Sequence, residues 1–191
     1  YFNEKIAGPF NLDFWIGLPD EQFDKVTDIQ PSLFPLWTRI VSPLFKIIPK
    51  SMLRGDLALI KDFEDPKTIA GSAFNNPKME IKNPFYANTR EWRKAEIPAA
   101  NGHGSARAIA KFYGVLSNGG NRDGVHLLSN ETIDMARKTE SEGADLVLAN
   151  LQTRFGLGFM LGSKDISMGP AKGAFGHGGA GGSLGFGDPD N

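Results

Sequence analysis

The sequence predicts an α+β chain in which short strands accompany amphipathic helices. Two helices are predicted, each after a capping serine, over residues 105–119 and 129–138. Residues 155–161 alternate at period two, which predicts a half-buried strand. The glycine-rich run 173–187 is interrupted by aromatic and aliphatic side chains, which predicts two strands that a ligand or a neighbouring strand approaches closely. At 191 residues, the chain is long enough to bury one substantial core.

The composition argues against several classes of function. Lys and Arg number 21 against 22 Asp and Glu, without a basic block, so nucleic acid is not an expected partner. The absence of cysteine excludes a disulfide framework, a thiol nucleophile and thiolate metal ligands. The three histidines, His103, His126 and His177, lack the spacing of a zinc site. No metal and no other cofactor is therefore expected.

The first half of the chain predicts broken helices and loops. Residues 1–6 have the pattern of a helix end, followed by a Gly-Pro stop and aromatic core anchors. Residues 31–49 are strongly apolar, but two basic residues and four prolines argue against a membrane-spanning helix. We expect a broken helix that covers the core there. Residues 56–83 lack periodicity and predict a loop with short helical turns.

The two predicted helices carry the clearest local signals. Ser105 caps the first helix, Gly119 provides a left-handed stop, and one face carries Ile109, Phe112, Tyr113 and Leu116. Ser129 caps the second helix, and Glu131 favours its positive end. Residues 121–126 predict a polar turn that ends in a solvated His126. His103 is expected in the cap region or a loop before the first helix.

Three of these stretches resemble one known family. Phe-Gly-His177-Gly178-Gly179-Ala180-Gly-Gly-Ser-Leu-Gly-Phe resembles the third box of the serine β-lactamase-related family, where β-lactamases and penicillin-binding proteins carry K-T-G and esterase-like members carry His-x-Gly. The segment from Asn101 to Gly120 resembles the family's N-G-x-x-T/S-A-R-x-L-A-R helix with its closing L-x-N-G-G, and Leu-Leu-Ser129 begins its L-L-S-x-E-T element. The resemblance implies that residues 1–191 form the C-terminal portion of a single domain. Its fold would be an antiparallel sheet packed with helices, with the N-terminal catalytic part missing.

The resemblance also implies a chemistry. The complete protein would hydrolyse a small-molecule ester or amide through an acyl-enzyme, with His177, Gly178, Gly179 and Ala180 in the catalytic site. His177 would act as a hydrogen-bond donor or as a cation, and the N–H of Ala180 would form half of an oxyanion hole. The small residues after the histidine would let the substrate lie along the strand edge, where a Cβ would obstruct it.

The remaining parts of the family's site are not found within the chain. No serine has a lysine three residues later, so the S-x-x-K nucleophile is expected upstream of Tyr1, and the chain as given is expected to be inactive. Tyr86-Ala-Asn88 matches the family's Y-x-N box but lies too close to His177, so we interpret it as an aromatic residue on a loop.

Other interpretations stay open at this point. Residues 176–181 spell G-x-G-x-x-G and residues 181–185 spell G-x-S-x-G, but neither motif is followed by the helix that it needs. A non-catalytic scaffold or interaction protein derived from the same fold is the principal alternative. An independent glycine-loop binder of a nucleotide is a third hypothesis.

Overall fold

The computed structural model describes residues 1–30, 47–49, 52, 61–62, 65–74, 86–148, 150–179 and 182–190. The chain forms two compact units. The first comprises residues 1–29, 85–142 and 153–191, and the second comprises residues 30–84 and 143–152. Helix α1, Ile69–Phe74, lies in the second unit and confirms the short helical turn predicted there. Most of the predicted apolar stretch 31–49 lies outside the described residues, as does Ala180.

The first unit begins with a π-helical turn, Asn3–Ala7, which confirms the predicted helix end. Strand β1, Phe14–Ile16, follows and pairs antiparallel with β2, Gly102–Gly104. His103 therefore lies in a strand, and the predicted cap or loop position is wrong. The glycines of β2 explain the difference, because a Cβ at Gly102 would lie 2.6 Å from the Phe14 ring. The ring can lie against β2 only where the strand lacks side chains.

Two helices follow a 3₁₀ turn, Tyr86–Asn88, in the middle of the first unit. Helix α2, Arg90–Lys94, begins at the Thr89 cap. Helix α3, Ala106–Ser117, begins at Ser105, whose hydroxyl accepts a hydrogen bond from the Ala108 amide at 3.1 Å. Gly119 has a φ of +71°. The predicted cap and the predicted left-handed stop are both confirmed.

The segment after α3 is more ordered than the sequence predicted. Residues 121–126 form a small hairpin of β3, Asn121–Arg122, and β4, Val125–His126, so the prediction of a turn alone was incomplete. Asp123 and Gly124 both have positive φ, the conformation that a tight two-residue hairpin turn requires. Helix α4, Asn130–Ala136, has the predicted Ser129 cap but ends two residues before the predicted Lys138.

A five-stranded sheet occupies the C-terminal part, in the order β5-β6-β7-β8-β9. The strands are β5, Ser141–Asp145; β6, Leu151–Phe155; β7, Met160–Leu161; β8, Phe175–Gly178; and β9, Leu184–Gly187. The strands β6 to β9 pair antiparallel with their neighbours. The prediction of one strand over 155–161 is wrong, because the chain turns between Phe155 and Met160, where Gly158 has a φ of +82°.

The core beneath the site lies between α3 and the sheet. Phe175 of β8 is fully buried, and its ring packs against Tyr113 of α3 and against Phe159. Leu116 and Leu161 belong to the same cluster. The predicted apolar face of α3 is thus confirmed as a core face. It fixes the position of β8, the strand that carries His177.

Candidate active site

The strand pairing leaves one part of β8 open. On one side, β9 pairs with all four residues of β8, from Phe175 opposite Gly187 to Gly178 opposite Leu184. On the other side, β7 has only two residues, which pair with Phe175 and Gly176. In the described part of the chain, no strand continues this ladder along His177 and Gly178. By strand alternation, the Gly178 N–H points to that side, where it has no strand partner among the described residues and is open to an extended ligand.

His177 lies at this open end with an exposed side chain. Its Nδ1 lies 2.6 Å from the carbonyl oxygen of Gly178. Because a carbonyl only accepts hydrogen bonds, Nδ1 must be the donor and carries the proton. In the neutral ring, Nε2 is then an acceptor that this bond does not use. The Phe155 ring lies beside the imidazole, with 6.3 Å between the ring centroids.

A cavity of about 280 Å³ lies next to His177. One wall is the end of the β8–β9 hairpin, and the other walls are apolar side chains of α3 and of the N-terminal segment. Those apolar residues are Phe2, Leu12, Phe14, Ala108, Ile109, Phe112 and Tyr113. Burial raises the pKa of the Tyr113 hydroxyl above its usual value, so this side chain stays uncharged. His177, Ser183 and the hydroxyl of Tyr113 are the polar side-chain groups among the described lining residues.

Two glycines of β8 have different reasons to lack a side chain. A Cβ at Gly176 would lie 2.2 Å from the carbonyl oxygen of Gly185, so the hairpin itself requires glycine there. At Gly178 a Cβ would meet nothing within 4 Å. Gly178 is therefore not required by the packing of the described residues. Because side chains alternate along a strand, the open Cβ position of Gly178 lies on the face opposite the His177 side chain.

The structure brings His177, Gly178 and Gly179 together at the mouth of this cavity. Ala180 belongs to the residues that are not described, so the expected oxyanion donor at that position stays a prediction. Ser183 lies close by, but it leads directly into β9 rather than into a helix, which excludes the nucleophile-elbow interpretation. The sequence did not indicate that the N-terminal segment forms part of the wall, because no local pattern connects Phe2 or Leu12 to β8.

Tyr86-Ala-Asn88 has a structural role in the first unit. The side chain of Asn88 accepts a hydrogen bond from the Ile29 amide at 2.8 Å and donates one to the Ile29 carbonyl at 2.9 Å. The Tyr86 ring packs edge-to-face against Trp92, with 5.6 Å between the centroids. Neither Tyr86 nor Asn88 is among the described residues that line the cavity beside His177.

Within the described ranges, no three His, Asp or Glu side chains group as metal ligands would. In the same part of the chain, the helices are too short or too polar for any of them to cross a bilayer.

The chain is similar to known proteins in both sequence and structure. The family profile described as Beta-lactamase matches residues 1–191. The esterase/beta-lactamase LipL of Mycobacterium tuberculosis (strain ATCC 25618 / H37Rv) is 41% identical over 96 residues, which are 50% of this chain and 21% of LipL. The matched half of the chain therefore spans about a fifth of the length of this curated relative.

Two crystal structures resemble nearly the whole chain. A penicillin-binding protein homolog from Caulobacter crescentus has a TM-score of 0.70 and 34% identity, and a family VIII carboxylesterase has a TM-score of 0.69 and 32% identity. Each match covers 98% of this chain but only 42% of the solved chain. The fold is thus part of a β-lactamase-like fold, in agreement with the predicted class.

Proposed function

We propose that this chain, which belongs to the beta-lactamase family, forms the C-terminal part of a serine hydrolase that cleaves a small ester or amide. The observation that carries the proposal is the open end of β8. There, His177 and Gly178 lie beside an apolar cavity and have no strand partner among the described residues on the β7 side. An acyl group that lies along this edge has its carbonyl next to backbone N–H groups, which can stabilise a developing oxyanion.

His177 has a defined role in this proposal. Its Nδ1 is engaged by the Gly178 carbonyl, which fixes the ring and directs the chemistry to Nε2. When the ring is neutral, Nε2 can accept a hydrogen bond from the hydroxyl group of the serine nucleophile. The protonated ring can donate a hydrogen bond to the leaving oxygen or nitrogen. Either role requires an imidazole that is accessible from the cavity, and the exposed position of His177 provides this access.

The apolar walls have a separate role. Ile109, Phe112 and Leu12 cannot supply a nucleophile, and no serine of this chain has a lysine three residues later. We place the nucleophile on a segment upstream of residue 1 that packs on these walls. The nucleophile attacks the substrate carbonyl, the alcohol or amine leaves, and water then releases the acid from the acyl-enzyme.

Labelling with a serine-directed phosphonate tests the proposal. In the complete protein that carries this chain, we expect one labelled serine, located by peptide mapping upstream of residue 1, and loss of labelling when an ester substrate competes. The isolated 191-residue chain should stay unlabelled under the same conditions. A complete protein that does not react would favour the non-catalytic scaffold. A label on Ser183 would contradict the assignment of the nucleophile.

A further inference from the structure

The β1–β2 ribbon uses only one edge of β2 for pairing. The Ser105 amide donates a hydrogen bond to the Asp13 carbonyl at 3.1 Å, so these two residues form a hydrogen-bonded pair of the ladder. Hydrogen-bonded pairs alternate along an antiparallel ladder, so the next one joins Trp15 to His103. The backbone N–H and C=O of His103 therefore face β1.

The two glycines that flank His103 have the opposite orientation. By the same alternation, the N–H and C=O groups of Gly102 and Gly104 point away from β1. Among the described residues, none forms a hydrogen bond with these four groups, and both glycines are exposed. β2 therefore presents two donors and two acceptors along an open edge, with the spacing that a further strand needs.

The sequence of β2 does not protect this edge. Natural proteins protect exposed edges with charged side chains, proline or a bulge, and β5, at the edge of the five-stranded sheet, carries Glu142 and Asp145. β2 is Gly-His-Gly, and its glycines have no Cβ that could obstruct an approaching backbone. Burial lowers the pKa of His103, so its ring adds no charge to the edge at neutral pH.

A cavity of about 640 Å³ lies on one face of the ribbon. Trp15 lies directly opposite His103 in the ladder, so their side chains share this face, and both residues line the cavity. Trp92 of α2 and Ile29 line it as well. In a strand added beside β2, the residue opposite His103 has its side chain on the same face. The cavity therefore has room for one apolar side chain of such a strand.

We propose that β2 binds an extended peptide, which adds as a third strand at the open edge of Gly102–Gly104 and places an apolar side chain in this cavity. Main-chain hydrogen bonds to the two glycines hold the peptide, and the indoles of Trp15 and Trp92 provide apolar surface for the side chain. In the described part of the chain, this cavity shares no lining residue with the one beside His177, so the site is separate from the proposed catalytic site.

Titration calorimetry of the complete protein with the peptide acetyl-Thr-Val-Phe-Val-Thr-amide tests the proposal. Alternate N–H groups of an added strand face β2, so N-methylation of the central phenylalanine and N-methylation of the two valines should have unequal effects. We expect saturable binding of the parent peptide, retained by one methylated peptide and weakened about tenfold in the other. No binding of the parent peptide, or equal binding of the two methylated peptides, would overturn the proposal.

Gly102→Pro and Gly102→Ala form a matched pair of variants. Both place a Cβ near the Phe14 ring, but only proline removes the outward N–H. Because this N–H is not part of the β1–β2 ladder, proline is compatible with the strand. We expect Gly102→Pro to bind the peptide about fivefold more weakly than Gly102→Ala, as for the loss of one hydrogen bond. Equal affinities would overturn the proposal, and thermal unfolding of both variants identifies any loss that comes from misfolding.

Hydrogen exchange, measured amide by amide in the complete protein, locates the peptide. Without peptide, the Gly102 and Gly104 amides should exchange rapidly, whereas the His103 amide, which faces β1, should be protected. The peptide should slow exchange at these glycines. Slow exchange there without peptide would show that another segment already covers the edge, and this would overturn the proposal. Protection at Gly178 instead would place the peptide at the proposed catalytic edge, which would overturn this inference and leave the proposed hydrolase activity intact.

Discussion

The tripeptide Gly-His-Gly occurs in two strands of this chain, with opposite surroundings. In β8, His177 is exposed, its Nδ1 is bonded to the Gly178 carbonyl, and its neighbours are apolar. In β2, His103 is half-buried, a backbone carbonyl of Asn101 lies within hydrogen-bonding reach of its ring, and its neighbours include Arg93 and two indoles. The same local sequence therefore holds an exposed ring among apolar neighbours in one place and a half-buried ring beside a charged side chain in the other.

The flanking glycines differ in the same way. Around His103, both glycines accommodate the Phe14 ring, since a Cβ at Gly102 or Gly104 would lie within 2.6 Å of it. Around His177, only Gly176 is required by the fold, while the Cβ position of Gly178 is open. A Gly-His-Gly strand thus indicates that another group approaches the backbone closely. The tripeptide alone does not distinguish a packed aromatic ring from an open substrate edge.

Among the strand glycines, Gly176 should be the most sensitive to substitution, and the effect should be on stability. Gly176→Ala places a methyl group 2.2 Å from a backbone oxygen, so we expect the free energy of unfolding of the complete protein to fall by about 1–3 kcal/mol. Gly102→Ala should lower the free energy of unfolding by less, because the new methyl group first meets the tip of the Phe14 ring, which can shift. Denaturant unfolding of both variants measures the difference.

Gly178→Ala is the matched control within β8. Its methyl group enters open space, so the free energy of unfolding should change by less than about 0.5 kcal/mol. The same methyl group lies on the proposed substrate edge, so ester hydrolysis should fall. A Gly178→Ala variant as unstable as Gly176→Ala would show that the edge is not open.

A smaller effect is expected in the pH dependence of stability. Because burial and Arg93 lower the pKa of folded His103, the unfolded chain binds a proton more readily below the usual pKa of 6.5. This contribution to stability is present above pH 6.5 and is lost as the pH falls toward the lowered folded value. His103→Gln should reduce the loss of unfolding free energy between pH 7.5 and pH 5.5. An unchanged pH profile in that variant would contradict the buried, neutral ring.

Much of the fold was predictable, because its signals are local. Ser105, Ser129 and Gly119 specify helix ends through contacts within a few residues, and all three were identified from the sequence. The sheet was harder to predict. Gly156 and Gly158 interrupt an alternating pattern that would otherwise give one strand, and the sequence does not indicate whether such glycines bulge a strand or end it.

The residues of the proposed site could be predicted from the sequence, whereas the walls of the neighbouring cavity could not. His177, Gly178 and Gly179 were identified from one short stretch that resembles a family box. The contributions of Phe2, Leu12 and Phe14 arise from long-range packing, for which the sequence has no local signal. The β1–β2 pairing joins residues 14–16 to residues 102–104. Because these segments are far apart in the sequence, the position of Trp15 beside His103 could not be predicted either.

The turnover of His177→Ala in the complete protein tests whether the open end of β8 is catalytic, as proposed. Hydrolysis of an activated ester should fall about a hundredfold or more, as for the loss of a proton-transferring side chain, while the unfolding transition stays unchanged because His177 is exposed. His126→Ala, at the other exposed histidine, should keep the wild-type rate. A His177→Ala enzyme that hydrolyses the ester at the wild-type rate would contradict the account.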